Sequence, residues 1–251
     1  MKAMIIKGIG GTEVFQQSEK AKPVAKPGHM VVEVKASSVN PIDTMLRSTE
    51  LPWSNNLPEV LHGDVAGIVV EVADDVTDFA VGDEVYGMAG GVNGVDGALA
   101  EFMLVDARLM AQKPKTLTMK QAAALPLVAI TSYEALVDKM NVKPGDNVLI
   151  HGATGGVGHI AVQLAKVLGA KVTATYSPAN EILAKTVGAD NLVDYTKESV
   201  SDYVQAYTGG VGFDKVFDPV AGDNIQKSFE AAKFNAHVAT TLPIADPLQV
   251  A

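Results

Sequence analysis

Over residues 2–118, apolar and polar positions alternate in short runs. Residues 2–7, 30–39, 64–72 and 98–106 are rich in Val and Ile with polar residues between them, the period-two pattern of half-buried strands. Clusters such as Lys26-Pro27-Gly28 and Val81-Gly82-Asp83 separate these runs and predict tight turns. One short helix is predicted over 41–48, with Pro41 in the first turn, where its missing N–H costs nothing. The pattern predicts a mostly antiparallel, barrel-like domain.

From Met119 the rhythm changes. Residues 121–140 read as helical with a break near Pro126. Strands at 147–151, 171–176, 191–193, 214–218 and 236–240 then alternate with helices at 155–168, 180–187, 200–207 and 224–233. Such alternation predicts a parallel sheet with helices on both faces. The 251 residues thus divide into a strand-rich domain over 1–118 and an α/β domain over 119–251.

The strand at 147–151 runs into Gly152-Ala153-Thr154-Gly155-Gly156-Val157-Gly158 and then into an amphipathic helix. This is the order a dinucleotide-binding turn requires. One glycine permits the sharp turn, another lets a pyrophosphate approach the backbone, and a third lets helix and strand pack closely. The helix N-terminus adds unpaired N–H groups and a partial positive charge. The next strand ends at Thr175-Tyr176-Ser177, with no acid there to bind a ribose 2′-hydroxyl; the first acid is Glu181. The Ser177 hydroxyl can donate to a 2′-phosphate, which favours NADPH over NADH, although no Lys or Arg adjoins it in the sequence.

Composition narrows the function classes. Lys and Arg number 20 against 29 Asp and Glu, a formal net charge of −9, so nucleic acid is not an expected partner. With no cysteine there is neither a disulfide framework nor a thiolate for zinc or nucleophilic attack. The longest apolar stretch, 122–130, is too short to span a bilayer and contains Pro126. The N-terminal MKAMIIKGIG lacks the signal-peptide pattern. A cytoplasmic protein without a membrane partner is expected. No Ser-His-Asp or Cys-His arrangement is legible.

The segments ASSVNPIDTMLR (36–47), LHGDVAGIVVEV (61–72), FAVGDEVYG (79–87), ALPLVAITSYEAL (124–136) and HGATGGVG (151–158) occur in an order that resembles the zinc-free, zeta-crystallin-like quinone oxidoreductases of the medium-chain dehydrogenase/reductase superfamily. The resemblance covers nearly the whole chain. It implies a GroES-like β-rich catalytic domain over 1–118, followed by a Rossmann doubly wound parallel sheet. It further implies that Asn40 lies near the nicotinamide with Asp43 close by, and that Thr131 touches the nicotinamide end of the cofactor. Gly155, Gly156, Val157 and Gly158 would cradle the pyrophosphate, and Ser177 and Tyr195 would lie around the adenosine phosphate. Plain structural readings remain beside these. Asn40 and Asp43 also suit the start of the helix at Pro41, Thr131 an ordinary buried hydroxyl, and Tyr195 a packed surface aromatic. Many relatives carry Lys three residues beyond the strand-end Ser or Thr, where this chain has Asn180.

Zinc-dependent relatives bind their metal through Cys and His. Here His62 and Asp64 face a partner position occupied by Asn40, a poor zinc ligand, so no metal site is expected and His62 is structural or lines the cleft. Quinones and α,β-unsaturated carbonyls accept hydride without strong Lewis-acid help, whereas alcohol–ketone exchange usually wants more. The expected activity is NADPH-dependent reduction of a quinone or enone, with Tyr86, Asn40 or a water relaying the proton. An alcohol dehydrogenase or enoyl reductase on the same fold, or a non-catalytic NADPH-binding redox sensor, are the alternatives. The resemblance also implies a homodimer, and a C-terminally truncated member whose catalytic domain lacks its closing segment.

Overall fold

The computed structural model describes residues 1–50 and 56–242, in two compact units, Met1–Leu127 and Val128–Ala251. In the first unit β1 (Lys2–Ile6) and β2 (Phe15–Glu19) form an antiparallel pair. The main sheet is antiparallel and five-stranded. Its strands are β3 (His29–Ser37), β4 (Asp64–Val72), β5 (Glu84–Met88), β6 (Phe102–Asp106) and β7 (Met110–Gln112), in the order β6-β3-β4-β5-β7.

Met30, Val32, Val65, Val69, Val85, Met103 and Val105 form the core on one side of this sheet. Small residues line the other side: Ala36, Ala66 and the ring of Tyr86 meet Ala122 and Ala123 of α2 (Met119–Ala123). That contact assigns α2 to the first unit. The sequence rhythm changes at Met119, whereas the packing boundary falls after Leu127. The predicted helix over 41–48 forms as α1 (Pro41–Ser48).

The second unit opens with most of α3 (Pro126–Tyr133), prolonged by a π-helical turn over Glu134–Lys139. Pro126 has no N–H to continue α2, which is why the helical stretch at 121–140 breaks there. Five parallel strands follow: β8 (Asn147–Ile150), β9 (Lys171–Tyr176), β10 (Asn191–Asp194), β11 (Phe213–Asp218) and β12 (Ala232–Thr240), in the order β10-β9-β8-β11-β12. Between them lie α4 (Gly156–Val167), α5 (Glu181–Ala184), α6 (Val200–Thr208) and α7 (Asn224–Ala231).

Successive strand residues serve opposite faces. Val148, Ile150, Val172 and Ala174 pack on Ala161, Val162 and Ala165 of α4, while Leu149, Val193 and Val216 pack with Tyr203 of α6 and Ala231 of α7. The chain reverses direction across the sheet between β8 and β11, the topological switch point where doubly wound sheets bind ligands.

Several elements differ from the sequence expectation. The helix expected at 180–187 is reduced to a single turn, Glu181–Ala184, after Pro178–Asn180. The helix expected to reach Lys233 stops at Ala231, where pairing of Ala232 with Phe213 draws the chain into β12. Asn235, at φ +63°, sits in a bulge of that strand. The strand expected at 98–106 begins only at Phe102. β2 carries polar residues along most of its length (FQQSE), so no apolar alternation announces it. No described helix is long and apolar enough to cross a membrane.

Candidate functional site

The glycine-rich turn leaves β8 at the switch point. Gly152 adopts φ +64°, and its carbonyl accepts the Gly155 N–H at 2.9 Å, closing a tight turn. A Cβ at Gly158 would lie 2.0 Å from that same Gly152 oxygen, so only glycine lets α4 approach the turn this closely. Gly155 is extended (φ −79°, ψ 169°) at the N-cap, and no side chain caps the amides of the first turn of α4. A Cβ at Gly155 would meet only the Gly152 oxygen at 3.4 Å. An uncovered helix N-terminus framed by small residues fits a pyrophosphate.

The turn is anchored to β9. Ala153 N–H donates to the Thr175 carbonyl at 2.8 Å and Gly152 N–H to the Thr175 hydroxyl at 3.1 Å. That hydroxyl lies 3.3 Å from His151 Nδ1. The Thr175 hydroxyl has one proton and two lone pairs, so with Gly152 N–H on one lone pair it pairs with Nδ1 either as donor or as acceptor, according to the imidazole tautomer. His151 is 3% exposed. Burial pushes its pKa down to about 4, with the Lys227 ammonium acting the same way and the Asp218 carboxylate opposing. Asp218 is itself fully engaged. It accepts from the backbone N–H groups of Val220 (3.0 Å) and Ala221 (2.9 Å), from Asn224 Nδ2 (3.0 Å) and from Ser228 Oγ (2.9 Å).

A cavity of about 970 Å³ opens at the carboxyl ends of β8, β9 and β10. His151, Thr154, Thr175, Ser177 and Tyr195 line it together with residues of α6 and α7. Ser177 and Tyr195, expected around one phosphate, therefore share one cavity with the glycine turn. Asn180 donates to Thr154 Oγ1 at 3.3 Å, bridging the β9 end to the turn. No cation adjoins Ser177 in the chain, but register supplies one nearby. Asp194 pairs with Tyr176 across β10 and β9, and Lys197 Nζ lies 2.8 Å from the Asp194 carboxylate.

Thr131 is half-buried on α3. Its neighbour Ser132, absent from the sequence-derived candidates, is fully buried, with its hydroxyl 2.7 Å from the Val128 carbonyl and 3.2 Å from that of Val157 in the glycine turn.

In the first unit, Asn40 and Asp43 come together at the start of α1, where the Asp43 carboxylate accepts the Asn40 N–H at 2.7 Å. The helix-start role is thus physically present. The Asn40 side chain is used elsewhere: its Nδ2 donates to Asp64 Oδ2 at 2.8 Å. Asp64, which the sequence reading treated only beside His62, is the hub of this cluster. It is wholly buried and also accepts from Ser38 Oγ at 2.6 Å and Leu127 N–H at 2.9 Å. Burial raises the pKa of Asp64 and of Asp43 and lowers that of His62, and the opposite charges in the cluster resist each shift.

Tyr86 pairs with Ala66 on β4, two positions from Asp64, so both side chains emerge on one face of the sheet. Among the described residues no group of three or more His, Asp or Glu is arranged to hold a metal ion.

Residues 26–115 match the alcohol dehydrogenase GroES-like domain and residues 156–241 match the zinc-binding dehydrogenase family. The first unit therefore carries a GroES-like domain and the second a Rossmann sheet. An NADPH-dependent alkenal/one oxidoreductase of Arabidopsis thaliana, chloroplastic, is 38% identical over 228 residues, covering 88% of this chain and 57% of that protein. The chain thus spans little more than half of that relative's length. A quinone oxidoreductase of Pongo abelii is 32% identical over 241 residues, covering 95% of this chain and 72% of the relative. Among solved structures, an alcohol dehydrogenase superfamily protein of Novosphingobium aromaticivorans superposes with a TM-score of 0.91 at 39% identity, over 98% of this chain and 74% of the other.

Proposed function

The chain belongs to the quinone oxidoreductase family of the medium-chain dehydrogenase/reductase superfamily, and from that premise we propose that it is an NADPH-dependent reductase of quinones or α,β-unsaturated carbonyls. The observation that carries the cofactor choice is the end of β9. It presents the hydroxyl of Ser177 and no carboxylate, in one cavity with the phenol of Tyr195, while Lys197, paired with Asp194, lies beside β10. A carboxylate at the strand end would repel a 2′-phosphate, whereas a hydroxyl there donates to one. Bound NADPH would supply the hydride.

The chain's own residues bind and orient. Gly155, Gly156, Val157 and Gly158 hold the pyrophosphate on the amides of α4, Ser177 and Tyr195 take the adenosine phosphate, and Thr131 serves the nicotinamide end. Asn40, held by Asp64, orients the nicotinamide, and Asp43 holds Asn40 in turn through its backbone N–H. The Tyr86 hydroxyl can deliver the proton that follows the hydride.

The donor set selects the acceptor class. A chain without cysteine offers no thiolate to a Lewis-acidic zinc, which favours acceptors already electron-poor at carbon. We place the protein in the cytoplasm as a homodimer, on the family resemblance and the cysteine-free composition.

The test is oxidation of NADPH, with NADH in parallel, by a small quinone and by an α,β-enone, with a chelator present. Acceptor-dependent oxidation that is faster with NADPH is expected. Faster oxidation of NADH overturns the cofactor choice, and tight NADPH binding without turnover overturns the reductase in favour of a redox sensor.

A further inference from the structure

His151 holds a buried ring nitrogen with no partner. Its Nδ1 faces the Thr175 hydroxyl, and its Nε2 makes no hydrogen bond although it is shielded from solvent. A buried polar atom left without a partner loses the hydrogen bond it makes in water, so such groups call for an explanation. The neighbouring groups supply no acceptor. The Asp218 oxygens are occupied by four donors of their own, and Lys227 offers only N–H groups. The ring nevertheless lines the large cavity that also holds Ser177 and Tyr195.

We propose that Nε2–H of His151 donates a hydrogen bond to an acceptor on the adenosine half of the bound dinucleotide. The inference rests on the reading of this cavity as a dinucleotide site and adds to it a residue that the glycine pattern does not include. The same imidazole does two jobs. Through Nδ1 it fixes the Thr175 hydroxyl that accepts from Gly152 N–H, and through Nε2 it reaches the ligand. Turn geometry and ligand contact are thereby joined in one side chain. Burial keeps the ring neutral near pH 7, so that one ring nitrogen accepts while the other donates.

The probes are 2′,5′-ADP for the adenosine half and reduced nicotinamide mononucleotide for the other half. In the wild-type protein labelled with ¹⁵N-histidine, the Nε2 resonance of His151 is expected to be that of a protonated nitrogen in the neutral ring. It should shift when 2′,5′-ADP or NADPH is added and stay in place with reduced nicotinamide mononucleotide. His151→Phe, which keeps a ring but no donor, should weaken 2′,5′-ADP and NADPH alike by about tenfold, with His151→Gln recovering part of the loss.

Wild-type binding of 2′,5′-ADP without movement of the Nε2 resonance overturns this inference and leaves the dinucleotide reading standing. Equal affinity of His151→Phe and wild type does the same. Wild-type protein that binds neither 2′,5′-ADP nor NADPH overturns both. The resonance arm uses the unaltered chain, so a variant that fails to fold leaves the inference open to refutation.

Discussion

Asn40 Nδ2 donates to Asp64 Oδ2 at 2.8 Å, tying the residue before α1 to the first residue of β4, 24 positions along the chain. Asp64 also accepts from Ser38 and from the Leu127 amide. Asp64→Ala would strand all three donors, at a cost of about 3 kcal/mol or more, while Asp64→Asn keeps the shape and some acceptance and should cost less. Urea denaturation midpoints measure both, and an unchanged midpoint for Asp64→Ala would show that these donors readily find other partners.

Gly158→Ala places a methyl 2.0 Å from the Gly152 oxygen, a backbone atom that cannot swing aside. α4 must tilt off the turn, and we expect a loss of about 2 kcal/mol in stability together with weakened NADPH binding. Gly155→Ala is the control. Its φ of −79° suits any residue and its Cβ has ordinary contact distance, so the thermal midpoint should stay within a few degrees of wild type.

His151 makes stability depend on acid. Its pKa is about 4 in the fold against 6.5 for the free side chain. A depressed folded value means that the unfolded chain binds the proton more tightly, so the contribution is fully present above about pH 6.5 and lost as pH falls toward 4. The size is about 3 kcal/mol. Asp43 and Asp64 run the other way. Burial raises both above 3.8, so their contribution is present below that value and lost as pH rises through the folded value. Thermal midpoints of wild type and His151→Gln between pH 8 and 4.5 should converge as acid is added, and parallel curves would refute the assignment to His151.

Ser177→Glu recreates the acid that an NAD site carries at this strand end. It should lower NADPH affinity at least about tenfold by charge repulsion and improve NADH relative to NADPH. Fluorescence titration with both nucleotides reads the ratio, and an unchanged ratio would remove Ser177 from the phosphate site.

Tyr86→Phe keeps the ring that packs against Ala66, Ala122 and Ala123 and removes only the hydroxyl. If the hydroxyl delivers the proton, kcat for quinone or enone reduction falls by about a hundredfold while the thermal midpoint holds. A kcat equal to wild type assigns the proton to another donor.

Some of this was legible before any coordinates. α1, β4 and β9 run over the residues that their patterns predicted, and the strand–turn–helix around Gly152–Gly158 needed nothing beyond local order. A helical pattern overstates α5, and it overstates the end of α7 because it says nothing of a strand waiting to pair with Ala232. Thr131 was singled out by motif, yet the neighbour with the buried hydroxyl is Ser132, whose value lies in reaching the Val157 carbonyl 25 residues away.

The two halves, the glycine turn and the acid-free strand end beside Ser177 are legible along the chain, because period, turn chemistry and a missing carboxylate are properties of adjacent residues. Packing alone brings Ser38, Asn40 and Leu127 to Asp64, sets Lys197 beside the β9 end, and leaves one nitrogen of His151 buried without a partner at the edge of a cavity. Those facts depend on strand register and on which polar atoms remain unpaired after packing, and both are settled only when distant segments meet.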